Sequence, residues 1–294
     1  MSARRLRSLL FAPASRPDVV AKLPRSEPDG IVLDLEDAVA ASGKSEARAV
    51  ARELGGKLAS ENPGIAVYVR VNAVVSEWFA DDMRVALQPD LAGVVVPKLD
   101  SVAQLDTVAE ALAEAGCRDL PVLAGIETAA GVAHLDDLLR PPVAVAYFGA
   151  EDFVADMGGV RTAGSREVLY ARSRLVLAAR LAGVHPLDQI VASYDDEATF
   201  VADAEEGRAL GYRGKLCIHP NQVPWANRVF SPSEEELDRA HRLLDAYTAA
   251  AATGDAVIVF DGQMVDEPMA RRARALLEER SPAGGDAGPA SAGA

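Results

Sequence analysis

Apolar, β-branched runs recur along the chain at short intervals: "SLLFAPA", "GIVLDLE", "AVYVRVN", "GVVVPK", "PVLAGIE", "VAVAYFG", "QIVAS" and "KLCIHP". Each has the length of a buried strand, about four to eight residues. Between them lie stretches with helical periodicity, such as "KSEARAVARELGGKL" and "SVAQLDTVAEALAEAG". Another is "SREVLYARSRLVLAARLAG", with Ser165 as the expected N-cap and Gly183 as the stop. Strands alternating with helices predict βα units and a parallel sheet. Eight units within about 220 residues predict an α/β fold of the closed (β/α)8 TIM-barrel type. An open doubly wound sheet is the alternative, but it more often carries a Gly-rich phosphate turn after its first strand, and none is present.

After the eighth run the character of the chain changes. "SPSEEELDRAHRLLDAYTAAAATG" predicts a capped helix, "DAVIVFDGQMVD" a short hairpin and "EPMARRARALLEER" a last helix. From Ser281 the chain is Ser, Pro, Gly and Ala, a composition that predicts disorder. The expected organisation is a barrel domain over 1–230, a helix–hairpin–helix extension over 231–280 and a disordered tail over 281–294.

Composition narrows the possible functions. At 49% apolar, 294 residues can bury a sizeable core. A formal net charge of -14 argues against nucleic-acid and anionic-membrane partners, while leaving a small anionic substrate open. No apolar run reaches the roughly 18 residues of a membrane span. Cys117 and Cys217 lack metal-type spacing and are expected to be reduced and buried, as in a cytoplasmic protein. The Arg-rich start, "MSARRLRSLLF", runs straight into the first strand and is read as structural rather than as a targeting segment.

The polar residues gather at the carboxyl ends of the strands, where a barrel carries out its chemistry. The second strand ends in Asp34, Glu36 and Asp37, the third in Arg70 and Asn72, and the fourth in Lys98. Glu127 ends the fifth, Glu151 and Asp152 the sixth, and His219 and Asn221 the eighth. In "AVYVRVN", Val67, Val69 and Val71 share one face. If they meet the helices, Arg70 points into the barrel mouth, either to pair with the acids of the second strand or to grip a substrate carboxylate. Glu127 reads either as a first-turn acid beside a Thr128 cap or as a ligand, and Asp152 either as an N-cap or as a ligand. Two carboxylates on adjacent strand ends suit a hard cation that keeps several waters, as Mg²⁺ does.

The stretches "LLFAPASRPD", "GIVLDLEDAV", "KSEARA", "VRVN", "VVVPK", "GIETAAGV", "FGAEDFVADMGG", "GYRGKLCIHPNQV" and "MVDEP" occur in order over most of the chain. In these the chain resembles the citrate lyase β-subunit-like group of the HpcH/HpaI aldolase/citrate lyase family, which includes malyl-CoA and citramalyl-CoA lyases. The resemblance implies a (β/α)8 barrel, Mg²⁺, a homotrimer or hexamer, and cleavage or condensation of a β-hydroxyacyl thioester with a small α-keto acid as co-product. It implies Glu127 and Asp152 as metal ligands and Arg70 as the carboxylate clamp. Glu36 and Asp37 would hold metal-bound waters or orient Arg70. Phe11, Lys22 and the backbone around Leu216 and Cys217 resemble the thioester or CoA site. Asp266 resembles a catalytic acid that some members supply from a neighbouring subunit; its plainer reading is an N-cap before "EPMARRARALLEE".

Two positions depart from the family pattern. Asp18 stands near a position where some relatives carry a basic CoA contact, and "HPLDQIVASYDD" differs from the usual seventh strand. The expected activity is Mg²⁺-dependent C–C cleavage of malyl-, citramalyl- or methylmalyl-CoA, with a thioesterase branch on the same site. The alternatives are a citrate lyase β-subunit acting on an acyl-carrier partner, and an aldolase acting on free keto acids.

Overall fold

Apolar side chains on both faces of the strands force burial from within and without, and the chain meets this demand by curling its sheet. In the computed structural model, which describes residues 5–280, eight parallel strands run β1 Ser8–Pro13, β2 Gly30–Asp34, β3 Ala66–Arg70, β4 Gly93–Val96, β5 Val122–Ile126, β6 Val143–Phe148, β7 His185–Leu187 and β8 Lys215–Cys217. Their spatial order is β7-β6-β5-β4-β3-β2-β1-β8. A parallel bridge between Asp188 and Lys215 joins the two outer strands, giving a (β/α)8 barrel. Leu9, Val32, Tyr68, Val95, Leu123 and Leu216 fill its interior. Val67, Val69 and Val71 lie in the separate core between sheet and helices. This alternation turns Arg70 toward the mouth.

Two expectations need correction. The seventh strand is His185–Leu187, not "QIVAS", which follows it as irregular chain. Pairing sets this register: His185 lies opposite Val145 and Leu187 opposite Tyr147, and the next residue, Asp188, meets Lys215. Ser165 does not cap the following helix, which spans Leu169–Ala182 with Val168 at its N-cap. Ser165 instead occupies a left-handed turn with φ 47°. Gly183, at φ 72°, ends that helix as expected.

The seam between β7 and β8 is held by buried charge. Arg172 grips Asp188 through Nε at 3.1 Å and Nη2 at 2.7 Å, and Lys215 Nζ lies 3.2 Å from Asp188 and also bonds Asp203. Arg172, Asp188 and Lys215 are fully buried. Removing one partner from such a network strands the others, which costs about 3–5 kcal/mol. Gly207 gives the network room, since a Cβ there would fall 2.3 Å from Asp188 Oδ2.

Leu6–Phe230 form one compact unit, and the described residues from Ser231 onward belong to a second. The second unit has a Glu234–Ala252 helix opened by a Ser233/Glu236 capping box. An antiparallel hairpin follows, β9 Ile258–Phe260 with β10 Gln263–Val265, then a helix over Glu267–Arg280. Leu243, Tyr247, Val265 and Ala270 form its own small core. The tail expected from Ser281 lies outside the described residues. Among the described residues no helix is long and apolar enough to cross a membrane.

Candidate active site

The acids that end β2 are neutralised by cations from the next two strands. Arg70, the last residue of β3, clasps Asp34 with Nε and Nη2, both at 2.7 Å. Its Nη1 lies 3.0 Å from Glu36 Oε2. Lys98, just beyond β4 at φ 52°, reaches Glu36 at 2.7 Å, Asp37 at 3.3 Å and Asp152 at 3.5 Å. Burial opposes both cationic charges. For Arg70 the hydrogen bonds and charge of Asp34 together with the other nearby negative groups overcome it, and for Lys98 the hydrogen bond and charge of Glu36 together with Glu127 and Asp152 do, so both pKa values are raised. Burial also raises Glu36, with Arg70 and Lys98 pulling it back. Of the two readings of Arg70, the structure shows the pairing. It pairs with the β2 acids, and it still lines the cleft, with its guanidinium 5.2 Å from the Phe11 ring centre.

Beneath this layer, Lys44 donates to the carbonyls of Leu35 at 2.6 Å and Glu36 at 2.8 Å, and to Asn72 Oδ1 at 2.7 Å. Asn72 Nδ2 and its backbone N–H both donate to buried Asp82. Asn72 therefore braces the strand end and does not face the mouth.

Glu127 follows β5 and is 2% exposed. The Tyr147 hydroxyl from β6 donates to its Oε1, and its Oε2 is buried without a partner. Burial, reinforced by the Glu36 charge, pushes the Glu127 carboxyl up to about 7. Burial and the Glu127 charge hold the Tyr147 phenol well above its ordinary value, so it stays a donor. Two glycines make the space. A Cβ at Gly149 would lie 2.5 Å from Glu127 Cγ, and one at Gly125 2.5 Å from the Tyr147 hydroxyl. Thr128 caps the short Ala129–Ala133 helix by accepting from Gly131 N, so Glu127 itself caps nothing there. Asp152 sits in the first turn of the Ala150–Asp156 helix, whose N-cap is Gly149, and its side chain is 45% exposed.

A cleft of about 350 Å³ brings together Phe11, Asp37, Arg70, Glu127, Asp152 and Leu216. Glu36 lies behind this surface, bound to Lys98 and Arg70. Lys22 is exposed at the start of a 3-10 turn and does not line the cleft. Cys217 is buried, and burial pushes its thiol up to about 12, so it is no nucleophile at neutral pH. Asp266 lies in the second unit, where its Oδ1 accepts from Met269 N at 3.4 Å in N-cap fashion. The sequence reading named neither Lys98 as a hub nor Tyr147 as a partner of Glu127. The one available signal for Lys98 was its place at a strand end.

The donors fit a hard divalent cation. Glu127 brings an unpartnered buried carboxylate oxygen to a cleft also lined by Asp34, Asp37, Glu151, Asp152 and Arg70. Among the described residues no three His, Cys, Asp or Glu side chains form a metal cage. To such an ion the cleft offers the Glu127 and Asp152 carboxylates and open space, the style of a Mg²⁺ site completed by water and substrate.

A model of the HpcH/HpaI aldolase/citrate lyase family matches residues 7–220. The chain belongs to that family. It is 54% identical over 279 residues to a citrate lyase subunit beta-like protein of Deinococcus radiodurans, covering 94% of this chain and 98% of the relative. It is 33% identical over 304 residues to the L-malyl-CoA/beta-methylmalyl-CoA lyase of Cereibacter sphaeroides, covering 94% and 95%. Among solved structures, CitE of Mycobacterium tuberculosis in complex with magnesium, acetoacetate and coenzyme A superposes with a TM-score of 0.79 at 31% identity, covering 92% of this chain and 97% of that one. Its relatives thus include a protein named as a lyase, and a neighbour is solved with magnesium, acetoacetate and coenzyme A bound.

Proposed function

We propose that the chain is a Mg²⁺-dependent C–C lyase acting on a short β-hydroxyacyl-CoA that bears a carboxylate. The observation that carries this reading is the unpartnered, buried Oε2 of Glu127 in a cleft that also holds Asp152 and Arg70. Glu127 and Asp152 would hold the ion, with Tyr147 fixing which Glu127 oxygen faces it. When bound, the ion supplies Lewis-acid stabilisation of the substrate's hydroxyl oxygen as it becomes a carbonyl. Arg70 lines the cleft and would orient the substrate carboxylate, while Asp34 and Glu36 hold the guanidinium still.

Cleavage removes the hydroxyl proton to water at the open mouth, turns C–O into C=O, and breaks the bond to the thioester α-carbon. The electron pair leaves as a thioester enolate, which takes up one proton to give acyl-CoA. We assign that proton to Asp266, delivered from a neighbouring subunit of a homo-oligomer. The position of Asp266 outside the barrel unit and the family resemblance of "MVDEP" support this assignment.

The test is a screen of malyl-, citramalyl- and methylmalyl-CoA with the purified chain and Mg²⁺, following free keto acid and free thiol together. The lyase reading expects keto acid from at least one thioester without any partner subunit. Thiol release with no keto acid, or dependence on an added acyl carrier, would refute it.

A further inference from the structure

Each of the two carboxylates assigned to the ion has one oxygen held by the protein and one left over. On Glu127, Oε1 accepts from the Tyr147 hydroxyl, and Oε2 is buried without a partner. On Asp152, Oδ1 faces the Lys98 ammonium at 3.5 Å, and this side chain makes no other ion pair or hydrogen bond among the described residues. The other acids at the mouth are engaged elsewhere: Asp34 with Arg70, Glu36 with Arg70 and Lys98, Asp37 with Lys98, and Glu151 with Arg161.

Both holding groups are themselves fixed. Gly125 lies opposite Tyr147 in the β5–β6 pairing, which sets the phenol beside the residue that follows β5. A Cβ at Gly125 would fall 2.5 Å from that hydroxyl, so the phenol fills the space the glycine leaves. Lys98 is braced by Glu36 at 2.7 Å and Asp37 at 3.3 Å. Its left-handed backbone, at φ 52°, is a conformation that a lysine keeps only where its surroundings enforce it. Here the next amide, that of Leu99, donates to the Gly125 carbonyl at 3.0 Å and pins the turn.

A carboxylate with one oxygen engaged offers a cation a single oxygen, whereas a free one can chelate through both. This difference separates the two common hard cations. Ca²⁺ takes about six to eight oxygens and accepts carboxylates through two, while Mg²⁺ keeps several waters and binds through one or two carboxylates. We infer that Tyr147 and Lys98 are positioning residues that restrict Glu127 and Asp152 to one oxygen each and so make this site selective for Mg²⁺ over Ca²⁺. The inference rests on the metal assignment in the lyase reading above and adds what sets the choice of ion.

Calorimetric titration of Mg²⁺ and of Ca²⁺ into the full chain and into Tyr147→Phe and Lys98→Met variants measures the ratio of the two affinities without any turnover. The unaltered chain should bind one Mg²⁺, and more tightly than Ca²⁺. Tyr147→Phe keeps the ring and frees Glu127 Oε1; Lys98→Met keeps an unbranched chain and frees Asp152 Oδ1. Each should raise Ca²⁺ affinity relative to Mg²⁺ by roughly tenfold. Lys98→Gln takes the place of the methionine variant if that one fails to fold. The two ions carry the same charge, so a merely structural role for either residue changes both affinities alike and leaves the ratio where it was. Ca²⁺ bound at least as tightly as Mg²⁺ by the unaltered chain, or a ratio unmoved in either variant, overturns this inference alone. No Mg²⁺ binding by the unaltered chain overturns the metal assignment of the lyase reading, and this inference with it.

Discussion

Gly149→Ala isolates the placement of Glu127 from its chemistry. Gly149 has φ -97° and ψ 89°, so alanine meets no backbone penalty there. The added Cβ would lie 2.5 Å from Glu127 Cγ and 3.0 Å from its Cδ. Restoring ordinary contact at 3.4 Å requires the Glu127 side chain to retreat by about 0.9 Å. It cannot do so freely, because its Oε1 is held by the Tyr147 hydroxyl. Overpacking of this kind costs about 1–3 kcal/mol of stability. A displacement near 1 Å in a positioned catalytic group costs about 10²-fold in rate. The assay is kcat/KM for Mg²⁺-dependent keto-acid release beside the thermal midpoint, with Gly64→Ala as control, since a Cβ at Gly64 meets nothing within 4 Å. Unchanged kcat/KM in Gly149→Ala would show that the location of the Glu127 carboxylate does not limit turnover, and the argument would fail.

The remaining predictions address the clamp, the acid and the pH dependence of folding. Arg70→Lys cannot reproduce the two-pronged contact with Asp34, so kcat/KM should drop by about 10²-fold, and normal turnover would dismiss the clamp. Mixed assemblies of Asp266→Ala and Glu127→Ala chains should regain part of the lost activity after subunit exchange, because an intact Asp266 and an intact barrel then meet across subunits; no recovery after confirmed exchange would place Asp266 outside the reaction. Burial pushes the partly buried His185 imidazole from its ordinary 6.5 down to about 4. A depressed folded-state value means that the stabilisation is complete above pH 6.5 and is lost as pH falls from there toward 4. Its size is at most about 3 kcal/mol, less to the extent that water reaches the ring. Urea midpoints of His185→Gln should therefore fall less between pH 7.5 and 4.5 than those of the unaltered chain, and parallel falls would contradict the assignment.

Much of the barrel was legible because buried parallel strands leave long apolar, β-branched runs, and seven of the eight observed strands lie within quoted runs. The seventh was misplaced because "HPL" is three residues with a proline and carries almost no periodic signal. Its place is set by β6 on one side and Lys215 on the other. The alternation in β3 gave the direction of Arg70, but not that Asp34 and Glu36 would both hold it. Lys98 was harder still. Its contacts with Glu36 and Asp37 span 62 and 61 residues, and its left-handed backbone leaves no mark in the apolar pattern. Tyr147 sits in a run that reads as plain core, and only the fold shows its hydroxyl meeting Glu127. The position of Ser165 failed for a related reason: a serine before a helical pattern can turn the chain without capping it.

Calorimetric titration of Mg²⁺ into the full chain and into Glu127→Gln and Asp152→Asn variants is the most direct measurement of the central claim. Both substitutions keep side-chain size, so thermal midpoints should confirm that the fold survives. One Mg²⁺ should bind the unaltered chain, and each variant should lose roughly tenfold or more in affinity. Equal affinity in all three proteins would contradict the assignment of Glu127 and Asp152 as the metal site, and with it the proposed route of cleavage.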